Sequence, residues 1–142
     1  MSRPDPVGAL VAFLTATPEV SAITGSRIYG GEVAKSDVAT MPRSSVVVSP
    51  SGGLGVFGGG YQEYGDRRFD VDCYAATEGS SYALFLEVHH ALKQMYAHNR
   101  SGVRLHWARP AAGGNTSRDP RTDWPVTLSS WQVLASEIAV PA

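Results

Sequence analysis

The alternation of apolar and polar residues is sharpest between Tyr61 and Ala76. There Phe69, Val71, Cys73 and Ala75 fall on one side of an extended chain, and Arg68, Asp70, Asp72 and Tyr74 fall on the other. A period of two with so clear a split predicts a strand with one buried and one wet face. A different period opens the chain. Val7, Leu10, Val11 and Leu14 recur at spacings of three and four, with Phe13 beside the stripe, which predicts an amphipathic helix. Asp5 suits its N-cap, and Pro6 suits the first helical position, where a missing N–H costs nothing. Thr17-Pro18 ends that helix. One more turn over Pro18 to Ile23 closes at Gly25, and Arg27-Ile28-Tyr29 reads as a short strand stopped by Gly30-Gly31.

Residues 32–43 are polar around a Met41-Pro42 step and predict a loop. Ser45-Val46-Val47-Val48-Ser49, a β-branched run between Pro42 and Pro50, predicts a buried strand. Ser51 to Gly60 holds six glycines and reads as a flexible hairpin tip or arm. Gly79-Ser80-Ser81 is expected to cap a second helix that runs to about Asn99–Gly102. Leu84, Phe85, Val88, Leu92, Met95 and Tyr96 form its apolar face, and Glu87, His90, Gln94 and His98 the opposite one. Val103 to Arg109 alternates as a strand, Pro110 to Pro125 is expected to be a second loop, and Thr127 to Val140 is the last strand. That last strand carries Trp131, Val133 and Ala135 on one face and Leu128, Gln132 and Leu134 on the other, which suits a central position. The order predicts an α+β domain over residues 1–142. Its core is a mostly antiparallel four- to five-stranded sheet with two helices packed on one face, and long loop arms extend at about 50–61 and 109–125.

Composition narrows the function. The chain has 142 residues, 43% of them hydrophobic and only 18% charged, with a formal net charge of −1. That is enough apolar material for a core, and no global basic field draws the chain to nucleic acid or anionic lipid. A single cysteine, Cys73, excludes an internal disulfide framework and a cysteine zinc cage. Met1 to Pro6 holds an acid and two prolines where a signal peptide needs an apolar core. No apolar run approaches the roughly 20 residues of a membrane span. The expectation is a small soluble protein of a reducing cytoplasm, with no membrane partner.

No group of residues makes a convincing reaction centre. Gly53-Leu54-Gly55-Val56-Phe57-Gly58 matches the dinucleotide fingerprint and follows a strand. However, Gly59-Gly60 and a β-type segment follow it where a helix would have to hold the pyrophosphate. His89, His90, His98 and His106 lack an H-E-x-x-H spacing or matching carboxylates, so no metal is expected and the histidines read as surface or partner-facing. Asp66, Asp70 and Asp72 form the one carboxylate cluster, read as a solvated strand face in which Arg68 and an aspartate pair, or as a wet face lining a channel. A hydrolase built on Asp70 or Asp72 lacks an accompanying groove. Ser80 and Ser81 are not in a nucleophile elbow, and Cys73 reads as a buried inert thiol. Arg100, Arg104, Arg109, Arg118 and Arg121 bias the second half toward basic, with Asp119 and Asp123 offsetting them locally. No catalytic residue, cofactor or enzyme activity is expected.

The whole-chain layout resembles the tail-completion, or tail terminator, proteins of long-tailed bacteriophages. The matching features begin with the Val7-to-Leu14 helix, Pro18-Glu19-Val20 and Gly25-Ser26-Arg27-Ile28-Tyr29. They continue with Met41-Pro42 before Val46-Val47-Val48, then Arg68-Phe69-Asp70-Val71-Asp72-Cys73-Tyr74 leading through a Gly-Ser segment into a helix. Asp119-Pro120 and Asp123-Trp124-Pro125 precede the closing strand. The resemblance implies a hexameric ring seated on the head-proximal end of the tail tube, which stops tube polymerisation and presents a joining surface to the head.

On that reading the partners are further copies of the chain, the tail-tube protein and the head–tail connector or neck protein, with DNA only passing through the lumen. The protein would occupy the host cytoplasm during assembly and then the virion. Arg68, Asp70 and Asp72 are the candidate lumen-facing residues. Gly53, Leu54, Val56, Phe57, Arg118, Arg121 and Trp124 are the candidate partner contacts on the arms. The rival readings are a neck adaptor docking on the portal side and, from another class, a small ligand-binding domain with a concave apolar pocket.

Overall fold

The computed structural model describes residues 5–51, 64–100 and 102–137. Helix α1 (Pro6–Thr15) opens as its sequence dictates. The Asp5 carboxylate accepts the Gly8 N–H at 3.0 Å, and Pro6 occupies the first turn. Helix α2 (Pro18–Thr24) follows a break, and Gly25, at φ 60°, takes a left-handed turn into strand β1 (Ile28–Gly30). A single helical turn, α3 (Lys35–Val38), and a cis Met41–Pro42 peptide precede strand β2 (Ser45–Pro50). Strand β3 (Tyr64–Tyr74) leads into helix α4 (Glu78–Gln94). Strands β4 (His98–Arg100), β5 (Val103–Arg118) and β6 (Pro125–Glu137) complete the chain.

The strands form one sheet in the order β1-β2-β3-β6-β5-β4. All pairs are antiparallel except β1 with β2. β6 is central, as its two apolar faces require. Val46 and Val48 of β2, Phe69, Val71 and Cys73 of β3, and Trp131, Val133 and Ala135 of β6 turn to one side. There they meet Leu10 and Leu14 of α1 and Leu84, Phe85, Val88 and Leu92 of α4 in a single core. Among the described residues, the other face of β3, β6 and β5 carries no helix, and α3 lies only at its margin beside β1 and β2. No single described helix is long and apolar enough to cross a membrane.

Among the described residues the sheet is therefore mixed and six-stranded, not a four- to five-stranded antiparallel one, and four helices are present where two were expected. α3 was hidden in a polar loop because one turn is too short to show a period. α4 is capped by Thr77, whose hydroxyl accepts the Ser80 N–H at 3.1 Å, and not by the Gly-Ser segment. α4 also ends earlier. Met95 is still buried, but the chain turns at Ala97 (φ 46°), Tyr96 is left 85% exposed, and His98 joins β4. The expected loop at 110–125 is largely strand. β5 runs to Arg118 and absorbs its proline and glycines through register shifts between Leu105 and Trp107, Pro110 and Ala112, and Gly113 and Asn115. Residues 52–60 of the expected arm, the first residues of the long strand (61–63) and the end of the last strand (138–140) lie outside the described residues.

Candidate functional site

The helix-free face is arranged in rows that follow from the pairing. Arg68, Gln132 and Arg109 stand side by side across β3, β6 and β5. Asp70, Ser130 and Ala112 form the next row, and Asp72, Leu128 and Asn115 the one after. Successive rows on one face are about 7 Å apart. Basic and acidic groups thus share the face in separate bands. Arg109 is held by its own strand, its guanidinium carbon 4.3 Å from the centre of the Trp107 ring. Small residues in the middle row leave a hollow of about 290 Å³, lined by Asp70, Asp72, Ala112, Asn115, Leu128 and Ser130 among others.

Among the described residues, the Arg68–aspartate pairing expected of this face does not form with Asp70 or Asp72. Asp70 instead accepts the Ser130 hydroxyl at 2.7 Å, and among the described residues Arg68 is in no ion pair. The face is also drier than expected at Asp72. Burial, then the neighbouring Asp70 and Asp119 carboxylates, push the pKa of Asp72 up to about 6. Behind it Cys73 is fully buried, and burial raises its thiol far above the ordinary value, so it is inert, as its place in the alternation suggested.

Asp119 reaches Asp72 because the β5–β6 hairpin tip folds onto β3. Asp119 Oδ1 accepts the backbone N–H groups of Arg121 and Thr122 at 2.8 and 3.4 Å, and Asp123 closes the turn in the left-handed region at φ 62°. The tip is fastened where the Tyr74 hydroxyl donates to Asp119 Oδ2 at 3.3 Å and Trp124 meets the Tyr74 ring edge-on at 5.8 Å. Burial and the adjacent Asp72 and Asp119 raise the Tyr74 phenol well above its usual range. A second hollow, of about 300 Å³, brings Asp72, Tyr74, Asp119, Arg121 and Trp124 together with Glu32. Of the arm candidates, Arg121 and Trp124 therefore lie next to Asp72. Arg118 ion-pairs with Asp123 at 3.8 Å at the rim. Gly53, Leu54, Val56 and Phe57 lie outside the described residues.

The histidines do not converge. His89 packs between Phe85 and Trp131, with centroids at 5.5 and 5.2 Å, and burial lowers its pKa. His98 meets Phe13 edge-on, and His106 Nε2 is 2.7 Å from Ser136 Oγ. His90 is exposed, and the other three are half-buried. No three His, Cys, Asp or Glu side chains among the described residues are grouped to hold a metal ion. An apolar cavity of about 270 Å³ lies on the helix side between Phe85, His89, Pro110, Ala111 and Trp131.

The sequence placed Asp70, Asp72 and Tyr74 on one strand face but gave no sign that Ser130, Asn115 and Asp119 complete their surroundings. Ser130 and Asn115 come alongside only through the β5–β6 register, and two bulges disguise it. Asp119 had a local signal, an Asx-type turn before Pro120, but nothing local says where that turn lands.

No family model matches the chain, and no curated protein matches it. Among solved structures the chain is similar to a chain of the virion of a native gene transfer agent (GTA) particle. The two share 17% sequence identity and superimpose with a TM-score of 0.68 over 92% of this chain and 94% of that one. At this identity the likeness is one of fold, and it spans the α+β layout nearly from end to end.

Proposed function

We propose that this chain is a structural protein of a phage-like virion. In our reading it is a tail terminator that forms a hexameric ring on the head-proximal end of the tail tube, ends tube polymerisation and presents the surface that joins the head. The observation that carries this reading is the near full-length fold correspondence with a chain of a GTA virion particle, which agrees with the layout Val7-to-Leu14 helix, buried β2, alternating β3 and long central helix. The features of the surface are compatible with it. The hollows are small, and Asp70 and Asp119 are held in hydrogen bonds to Ser130, to Tyr74 and to the backbone of the hairpin tip. Within this reading the helix-free face carrying Arg68, Asp70 and Asp72 lines the hole through which DNA passes. The hairpin tip with Arg118, Arg121 and Trp124 meets the tail-tube or connector protein.

Negative-stain microscopy of the purified protein, alone and mixed with its tail-tube protein, tests the reading. Rings of about 80–100 Å, the size expected for six compact domains of this length, should cap one end of each tube and halt its growth. Particles that ignore the tubes and bind portal or connector preparations would replace it with the neck-adaptor reading.

A further inference from the structure

The six-stranded sheet has two open edges, and the register puts them level with each other. β4 borders β5 only from Val103 to Leu105. Among the described residues, no strand borders β5 from Trp107 to Arg118 on its outer side, and none borders the outer side of β1. Following one row across the sheet, Tyr29 pairs with Val47, Val47 with Asp72, Asp72 with Leu128 and Leu128 with Asn115. In the same way Ile28 lies level with Thr116, and Gly30 with Gly113. A second copy displaced sideways along the sheet, with no slide along the strands, brings its β1 beside this stretch of β5. The strand directions then meet antiparallel, because β1 runs with β2 and with β6, and against β3 and β5.

Among the described residues, β1 keeps backbone acceptors on its outer side, although the Ile28 N–H already donates to the Ser26 carbonyl at 2.9 Å. The Arg27 carbonyl accepts from Val46 at 3.0 Å and the Gly31 N–H donates to Val48 at 2.8 Å. The alternation of a parallel ladder therefore turns the carbonyls of Ile28 and Gly30 away from β2. Exposed edges are normally guarded by lysine, proline or bulges. On β5 such guards, Pro110 and the three register shifts, all lie at or before Asn115. Asn115-Thr116-Ser117 and Ile28-Tyr29-Gly30 contain neither lysine nor proline.

We infer that copies of this chain join head to tail by pairing β1 of one with the edge of β5 around Asn115 and Thr116 of the next, so that a single sheet runs through every subunit contact. This rests on the ring reading above and names the surface that builds the ring. Each copy contributes five strands at that level, about 24 Å of wall at about 4.8 Å per strand. With α1 and α4 on one side of the sheet, the Asp70 and Asp72 face is presented on the other side in every copy. Opposite edges of different sequence make the contact heterologous, the kind that closes rings.

The test is oxidation of a Tyr29→Cys/Asn115→Cys variant assembled on tail tubes, beside each single variant. The two positions would be directly opposed, with Cβ atoms about 4.5–5.5 Å apart. The double variant should give a disulfide ladder of covalent multimers, and the single variants no ladder. Because Tyr29 also bonds Asp37 at 2.7 Å, hydrogen exchange on the unmodified protein gives a second reading. The amide of Thr116, which the alternation of the β5–β6 ladder turns away from β6, should exchange about tenfold or more slowly after assembly. Rings that form without ladder or protection would overturn the sheet contact and leave the terminator reading intact. A ladder among soluble oligomers that ignore tubes would uphold the contact and remove the terminator reading. Absence of rings, ladder and protection would remove both.

Discussion

Trp131 donates its indole N–H to Ser129 Oγ at 3.2 Å, and Ser129 in turn donates to the Val71 carbonyl at 2.8 Å. Two residues apart on β6, both point into the core, where the largest fully buried side chain needs a partner for its one polar atom.

Ser129→Ala therefore leaves a buried indole N–H unpaired and should cost about 1–3 kcal/mol of stability. Ser130→Ala, whose partner Asp70 keeps access to water, should cost under about 1 kcal/mol. Urea unfolding of the two variants checks the order, and equal losses would show that the Trp131 bond contributes nothing measurable.

Gly113 exists for the same packing. A Cβ at this position would lie 2.8 Å from Ser129 Cβ and 3.1 Å from Ser129 Cα, atoms fixed to the β6 backbone. Gly113→Ala should destabilise the fold by about 1–3 kcal/mol through forced separation of β5 from β6. The effect is expected in the unfolding midpoint and in faster exchange of amides along both strands. A variant as stable as the parent would mean the bulged strand shifts freely.

These contacts show what a single sequence could and could not yield. Phe69, Val71 and Cys73 announced β3 because a half-buried strand writes its two faces directly into the order of residues, and Asp5-Pro6 announced the start of α1 because capping is local. The second half of β5 escaped because Ala111 to Gly114 looks like a loop, and its strand state is imposed by pairing with β6 on the far side of the tip. α4 was drawn too long because His98 keeps helical spacing, while Ala97 adopts a left-handed conformation that alanine gives no sign of. Asp70 and Asp72 were visible as an acidic face. The burial of Asp72 was not, since it depends on Asp119 and Trp124 arriving from 45 or more positions away.

The start of α4 offers a gain and a loss within three residues. Thr77→Ala removes the cap on the Ser80 N–H and should cost about 1 kcal/mol. Gly79, inside the first turn with nothing within 4 Å of an added Cβ, should accept alanine with a gain of about 0.5–1 kcal/mol, because the unfolded chain loses freedom. Thermal melts should move in opposite directions. A loss at Gly79→Ala would mean the glycine meets something the chain alone does not contain.

Asp72 should make stability depend on pH in a direction opposite to that of a salt-bridged carboxylate. Its pKa rises from 3.8 to about 6 on folding, through burial first and then the Asp70 and Asp119 carboxylates. The native state therefore holds the proton more tightly than the unfolded chain does. Stability from this group is greatest when Asp72 is protonated, falls as pH rises from about 4 through about 6, and stays flat above that. Two pKa units correspond to about 3 kcal/mol. Asp72 remains partly solvated, and screening brings the expected loss to about 1–2 kcal/mol. Asp72→Asn removes the charge and keeps the shape, so it should exceed the parent in urea midpoint at pH 7.5 and lose that lead at pH 4.5. A difference that stayed constant across this range would show that Asp72 is as easily ionised in the folded chain as in the unfolded one. The hairpin tip would then have to sit further from β3 than the Tyr74–Asp119 bond holds it.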